Sequence, residues 1–198
     1  MEFFDICDEK GMPTGATVSR EEAHAKGIRH RTAHVWIVRK VQDRYQVLLQ
    51  RRSMNKDSFP GQLDTSSAGH IPAGEEPASS AVREMREELG LTVLPEELIY
   101  AGQFDIRYEM EFHGKPFRDN EYANVYVYMR DVPLAEITVQ EEELESVGWF
   151  DLEETIRKCR ARDPEYCVPM GGLEVLTGYL RTIMRSSATA AASPSTKA

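Results

Sequence analysis

The chain has 198 residues, 41% of them hydrophobic and 29% charged, which suits one soluble globular domain with enough apolar mass for a core. No run approaches the 18 or more apolar residues of a membrane span, and the acidic start MEFFDICDEKG lacks the basic region and apolar stretch of a secretory signal. A formal net charge of -9 argues against a broadly basic nucleic-acid footprint, and it makes phosphate binding awkward unless a cation mediates. Cys7, Cys159 and Cys167 are widely spaced without C-x-x-C pairing. They support neither a disulfide framework nor a cysteine zinc site, so a reducing cytoplasm is expected.

Taken in chain order, residues 1–32 read as an irregular or hairpin-like lead-in packed on the domain, with Gly11, Pro13 and Gly15 as turn formers. The segments AHVWIVRK (33–40) and YQVLLQR (45–51) read as strands joined by a polar turn. Residues 52–76, rich in glycine and proline, read as a loop. A helix is expected from Pro77 to Leu89, with proline in its first turn and Gly90 just past its end. Its buried stripe is Ala78, Ala81, Val82, Met85 and Leu89. Strands follow at 98–112, 122–130 and 147–151, then helical segments near 152–162 and 172–185. The tail 186–198 is small, polar and low in complexity, and disorder is expected there. This interleaving fits the mixed sheet of an α+β or α/β sandwich.

On the helix, Glu84, Glu87 and Glu88 stand at i, i+3 and i+4, so three carboxylates share one face. Such like-charge neighbours destabilise a bare helix by about 0.2–0.5 kcal/mol per pair. A divalent cation removes the repulsion, and carboxylate oxygens suit Mg²⁺ or Mn²⁺. The commoner fate of a glutamate-rich helix is a solvated face, here salt-bridged by Arg83 and Arg86.

The surroundings favour the metal. Gly69, five residues, Glu75, seven residues and then Arg83-Glu84-Met85-Arg86-Glu87-Glu88-Leu89-Gly90-Leu91 matches the Nudix box at every defined position. The chain therefore resembles the Nudix hydrolases. That resemblance implies a Nudix-type α/β/α sandwich with a mixed β-sheet, here a domain over residues 33–185, in which the box forms loop, helix and loop. It also implies hydrolysis of a diphosphate linkage in a nucleotide or another nucleoside-diphosphate-like small molecule, with Mg²⁺ (or Mn²⁺). Carried over by position, Glu87 and Glu88 become central metal ligands and Glu84 a further ligand or the base. Arg83 orients these carboxylates, Glu75 anchors the loop, and Gly69 and Gly90 serve backbone geometry.

A second resemblance lies in the flanks. SREEAHAKGIRHRTAHVWI (19–37), LLQRRSMNKDSFPGQLDTSSAGHIPAGE (48–75) and DNEYANVY (119–126) are similar to the isopentenyl-diphosphate isomerase branch of the same superfamily. There, histidines and glutamates at such places bind a divalent metal, and His24 or His30, His70 and Glu121 fall at equivalents. Such an imidazole–carboxylate set suits Mn²⁺ or Zn²⁺. The isomerases carry a cysteine directly before the Gly-His pair, where this chain has Ala68. A methyl group has no acid–base chemistry, and the glutamates of the box are complete. Both features point to hydrolysis over isomerisation, and the complete box argues against a catalytically silent diphosphate-binding module.

Arg51, Arg52 and Lys56 form a basic cluster that either grips substrate phosphates, with His70, or simply ends a strand. The acidic run Glu141, Glu142, Glu143 and Glu145 reads as a solvated loop. The expected partner is a small-molecule diphosphate, with neither polymeric nucleic acid nor membrane, and with a homodimer admitted.

Overall fold

Strand β3 (His30–Val41) explains the layering of the whole molecule. Successive side chains of a strand point to opposite faces, and β3 is apolar on both. Ala33, Val35 and Ile37 pack with Ala81, Met85 and Leu89 of the helix α2 (Pro77–Leu89). Trp36 and Val38 pack on the other side with Leu173, Leu176 and Leu180 of α4 (Met170–Ala191). Each fully buried valine, isoleucine, leucine or methionine among them contributes about 1.5–3 kcal/mol. Two apolar faces on one strand require two covering layers.

The structure, a computed structural model, describes residues 1–56, 58–112 and 114–191, with side chains to residue 186. The remaining elements are β1 (Phe3–Cys7), β2 (Pro13–Ser19), α1 (Arg20–Lys26), β4 (Arg44–Arg52), β5 (Leu63–Asp64), β6 (Ser67–His70), β7 (Ile99–Phe112), β8 (Lys115–Met129), β9 (Leu144–Asp151) and α3 (Leu152–Arg160). The main sheet runs β5-β4-β3-β8-β7, with β6 also paired to β3 and β9 to β4. Strands β3 and β8 are parallel and all other pairs antiparallel, so the sheet is mixed and the expected α/β/α sandwich is what forms. No helix among the described residues is long and apolar enough to cross a membrane.

Helix α2 has the bounds its sequence implies. Pro77 opens it, since a first-turn residue needs no N–H for the helix ladder. Gly90 closes it in the left-handed region at φ +69°, its N–H donating to the Arg86 carbonyl. The next N–H, of Leu91, reaches the Met85 carbonyl at 3.2 Å. Elsewhere the chain differs from expectation. The lead-in contains α1, started by Ser19 accepting the Glu22 N–H and stopped by Gly27 at φ +67°. The segment expected as loop at 52–76 holds β5 and β6, and β8 begins at Lys115. Helix α4 continues to Ala191, past the boundary expected at residue 186, and residues 192–198 lie outside the described ones. The β1–β2 hairpin and α1 close over one end of the sheet around Phe4, Val18 and Ala23.

Candidate active site

The four residues of β6 divide the chemistry between the two faces. Their partners on β3 are Val35 for Ser67, His34 for Ala68, Ala33 for Gly69 and Thr32 for His70. Alternation therefore turns Ser67 and Gly69 toward α2, and Ala68 and His70 toward the opposite face.

On the α2 side, Ser67 Oγ donates to Glu88 Oε2 at 2.7 Å and the Ala68 N–H reaches the same oxygen at 3.3 Å. Glu88 is only 6% exposed. Burial pushes its pKa up to about 8, against the opposing pull of the Ser67 hydrogen bond, with the neighbouring Glu84 adding repulsion. Burial also raises Glu84, and the charge of Arg83 offsets part of that shift. Gly69 is required sterically. A Cβ there would stand 2.2 Å from the Glu84 carboxyl carbon, so that side chain lies across the bare backbone.

Arg83 organises the group. Its Nη1 lies 2.8 Å from Glu84 Oε1 and 3.1 Å from Glu87 Oε2. Its Nη2 donates to the His70 carbonyl at 3.1 Å, and its Nε lies 3.8 Å from Glu75. Glu75 also accepts from Ser80 Oγ at 2.9 Å, which ties the loop before α2 to the helix's first turn. The structure thus brings Glu75, Arg83, Glu84 and Glu87 into one network, with Glu88 beside it.

Behind β6 stands a second cluster. Ligand atoms of His24, His30, His70 and Glu121 all lie within 4.8 Å of one another. His70 Nε2 is 3.3 Å from His24 Nε2 and 3.5 Å from Glu121 Oε1, and His30 Nε2 is 3.9 Å from that oxygen. His24 comes from α1, and β3 supplies His30. His70 is on β6, and Glu121 is on β8, opposite His30 in the parallel pairing. The structure therefore places Glu121 with the histidines rather than with the box glutamates, and His70 likewise. Both His24 and His30 belong, where the sequence offered one or the other.

These groups fit a metal. The Nδ1 atoms of His24 and His30 lie 2.9 and 2.8 Å from backbone carbonyls of Arg20 and Ile28, which assigns their protons to Nδ1 and leaves each Nε2 lone pair facing the cluster. His30 Nε2 and Asp119 Oδ1 are buried without a hydrogen-bond partner. Burial lowers His24 to about 4 and His70 well below its ordinary value, while burial and Asp119 hold Glu121 well above the usual carboxylate range. Neutral imidazoles are what a cation needs. Phe4 stacks on His30 and His70 with ring centroids 4.8 and 4.6 Å away, fixing both rings. Asp119, 8% exposed and 3.9 Å from His24, is a neighbour of the cluster that sequence reasoning missed; its spacing two residues before Glu121 on one strand was the available signal.

The basic cluster is already engaged. Arg51 donates to the Gly61 carbonyl at 2.8 Å and to Glu165 at 2.7 Å. Arg52 holds Ser58 through both its carbonyl and its hydroxyl and bonds Asp64 at 3.1 Å. Lys56 pairs with Glu143 of the acidic run. These cations tie Ser58, Gly61 and Asp64 to the end of β4 and Glu143 to Lys56.

Comparison with known proteins agrees with this geometry. The family model of the NUDIX domain matches residues 28–169. Nudix hydrolase 3 of Arabidopsis thaliana is 40% identical over 167 residues, 83% of this chain, and the match covers only 21% of that longer protein. An uncharacterized Nudix hydrolase of Clostridium acetobutylicum is 36% identical over 156 residues, covering 79% of this chain and 73% of the relative. Among solved structures, DR0079 of Deinococcus radiodurans superposes with a TM-score of 0.59 at 19% identity, covering 81% of this chain and 90% of that one. A Caenorhabditis elegans Ap4A hydrolase complex gives 0.53 at 21% identity, over 77% and 98%. The complete box, the two-faced sheet around it and these relatives lead to one assignment: the chain belongs to the Nudix hydrolase family.

Proposed function

We propose that the protein is a divalent-cation-dependent hydrolase of a diphosphate linkage in a nucleotide or another nucleoside-diphosphate-like small molecule, working in the cytoplasm. The observation that carries this reading is Arg83 gathering Glu84 and Glu87 within 3.1 Å beside the buried carboxylate of Glu88. Glu84, Glu87 and Glu88 would hold Mg²⁺ or Mn²⁺, which neutralises the diphosphate and lowers the pKa of water. Arg83 fixes the directions of Glu84 and Glu87 by charge-assisted hydrogen bonds. Glu84, whose carboxyl burial raises above the ordinary range, serves as a further ligand or as the base that takes the proton of the attacking water. Ser67 and the Ala68 N–H hold Glu88 against α2. Gly69 leaves room for Glu84.

The histidine centre would hold a second cation of the Mn²⁺ or Zn²⁺ type through three imidazole nitrogens and one carboxylate. It also favours the isomerase reading, since the resemblance placed a metal there. Ala68, on the same face as His70, opposes that reading, because protonating carbon needs a positioned acid and base. A magnesium-dependent screen across nucleoside di- and triphosphates, sugar nucleotides and dinucleoside polyphosphates tests the hydrolase. Cation-dependent release of phosphate or nucleotide is expected, and the absence of turnover across the panel would refute it.

A further inference from the structure

The N-terminal strand reaches the box glutamates as well as the histidine centre. Phe4 and Asp5 are consecutive in β1, so their side chains point opposite ways. Phe4 is fully buried against His30 and His70, and its backbone bridges to Pro72, which fixes the strand in place. Asp5 meets the stretch 72–75 that leads into α2. The Ala73 N–H donates to the Phe3 carbonyl at 2.8 Å, and the Gly74 N–H donates to Asp5 Oδ2 at 2.9 Å. Arg31 Nη2 donates to the same Asp5 oxygen at 3.1 Å and to the Glu75 carbonyl at 3.2 Å. The Asp5 and Arg31 side chains are 13% and 9% exposed, so a largely buried ion pair holds two successive residues of the turn. Glu75 stands at the end of that turn, its N–H donating to the Pro72 carbonyl at 3.0 Å. Arg83 Nε, 3.8 Å from the Glu75 carboxylate, is buried without a hydrogen-bond partner, so a small displacement of the turn makes or loses that contact.

We infer that Asp5 is a positioning residue for the box carboxylates. It sets Glu75 through Gly74 and Arg31, Glu75 sets Arg83, and Arg83 holds Glu84 and Glu87. The N-terminal hairpin is thereby part of the cation-binding apparatus, although no residue of the box lies in it. Altering groups that orient a metal's ligands from outside costs about 10–100-fold in affinity. Asp5 acts through further residues, so the low end of that range applies. The inference rests on the reading of the box as a divalent-cation site of a hydrolase.

Electron paramagnetic resonance with Mn²⁺ alone counts the bound cations and gives their affinities in wild type, Glu88→Gln, Asp5→Ala, Asp5→Asn and Val18→Ala. The box site is the one that Glu88→Gln abolishes. Asp5→Ala is expected to weaken that site about tenfold and to leave Mn²⁺ at the histidine centre within about twofold of wild type. Asp5→Asn keeps an oxygen for both donors and should bind within about threefold of wild type. Val18→Ala trims the apolar cluster beneath the same hairpin without removing either hydrogen bond, so its melting temperature should fall while both sites hold. In hydrolysis of the fastest nucleotide of the panel, Asp5→Ala should raise the Mg²⁺ concentration for half-maximal rate by the same factor, with saturating Mg²⁺ restoring most of kcat. If Asp5→Ala does not fold, Asp5→Ser, too short to reach Gly74, takes its place under the same criteria. A box site within about twofold of wild type in Asp5→Ala would overturn the inference. So would equal weakening of both sites, or of the box site in Val18→Ala, since the hairpin would then only support the fold. An Asp5→Asn as weak as Asp5→Ala would overturn it too, because the two hydrogen bonds would not be what sets the turn. Mn²⁺ bound at the box without turnover of any panel compound sinks the hydrolase reading alone, and the affinities still decide Asp5. A wild type that binds no Mn²⁺ at the box overturns both.

Discussion

Replacing Glu88 by glutamine should abolish most activity while making the metal-free protein more stable, the trade-off expected where a functional carboxylate is buried at a cost to folding. Glu88 is buried and accepts hydrogen bonds from Ser67 and the Ala68 N–H, and both can be made equally well to an amide oxygen. Its pKa rises from an ordinary 4.5 to about 8 on folding. For an acid raised in this way the folded state is penalised wherever the unfolded chain is ionised. The penalty is absent below pH 4.5, grows between the two values and is constant above about 8. At about 1.4 kcal/mol for each pH unit between them, it reaches about 3 kcal/mol at pH 7 and about 5 kcal/mol at pH 9. Glutamine carries no such penalty. Calorimetry in EDTA should therefore give Glu88→Gln a melting temperature about 5–10 °C above wild type at pH 7, with a larger gap at pH 9 and none at pH 4. Loss of a cation's transition-state stabilisation amounts to several kcal/mol, so turnover should fall at least a hundredfold. Hydrolysis within tenfold of wild type, or a variant less stable than wild type at pH 9 without metal, would refute the reasoning.

Gly69→Ala puts a methyl where the Glu84 carboxyl lies and should reduce turnover at least tenfold, with the far-ultraviolet circular dichroism unchanged. His70→Ala removes one of three imidazoles from the histidine centre. Equilibrium dialysis should show its Mn²⁺ affinity weakened at least about tenfold, since altering even the outer partners that orient a metal's ligands costs about 10–100-fold. In deuterated water with isopentenyl or dimethylallyl diphosphate, no catalytic exchange of deuterium into carbon is expected, because Ala68 supplies no acid; exchange seen by mass spectrometry would restore the isomerase reading.

Local signals were legible and long-range ones were not. Helix α2 carried its own start and stop in Pro77 and Gly90, and its box spacing put the carboxylates on one face, so both could be read from a single stretch. Helix α1 had an equally local signature, Ser19 with Glu22 three residues on and Gly27 after the last turn, but its seven residues are too few to show periodicity. Strands β5 and β6 are two and four residues long and exist only through pairing with β4 and β3. The members of the histidine centre were named only through the isomerase resemblance. That both His24 and His30 join it follows from folding, which sets His30 opposite Glu121, 91 residues away, in a parallel pairing that no window of sequence contains. Arg51, Arg52 and Lys56 were visible as cations, but their carboxylate and carbonyl partners come from distant segments such as Glu143 and Glu165.

The alternation along β6 has a consequence for how this protein can vary over time. Ser67 and Gly69 serve one metal-capable cluster while Ala68 and His70 face the other, and the strand has no spare residue between them. Gain or loss of one residue between Leu63 and Ser67 would slip the strand by one place and exchange its two faces. His70 would then turn toward the glutamates, and a bulkier neighbour would replace Gly69 against Glu84. Substitutions can adjust either cluster by itself, but a change of length here damages both together. Lineages descended from this chain should therefore vary freely in the length of the 53–62 loop and hold the spacing of residues 63–70 constant.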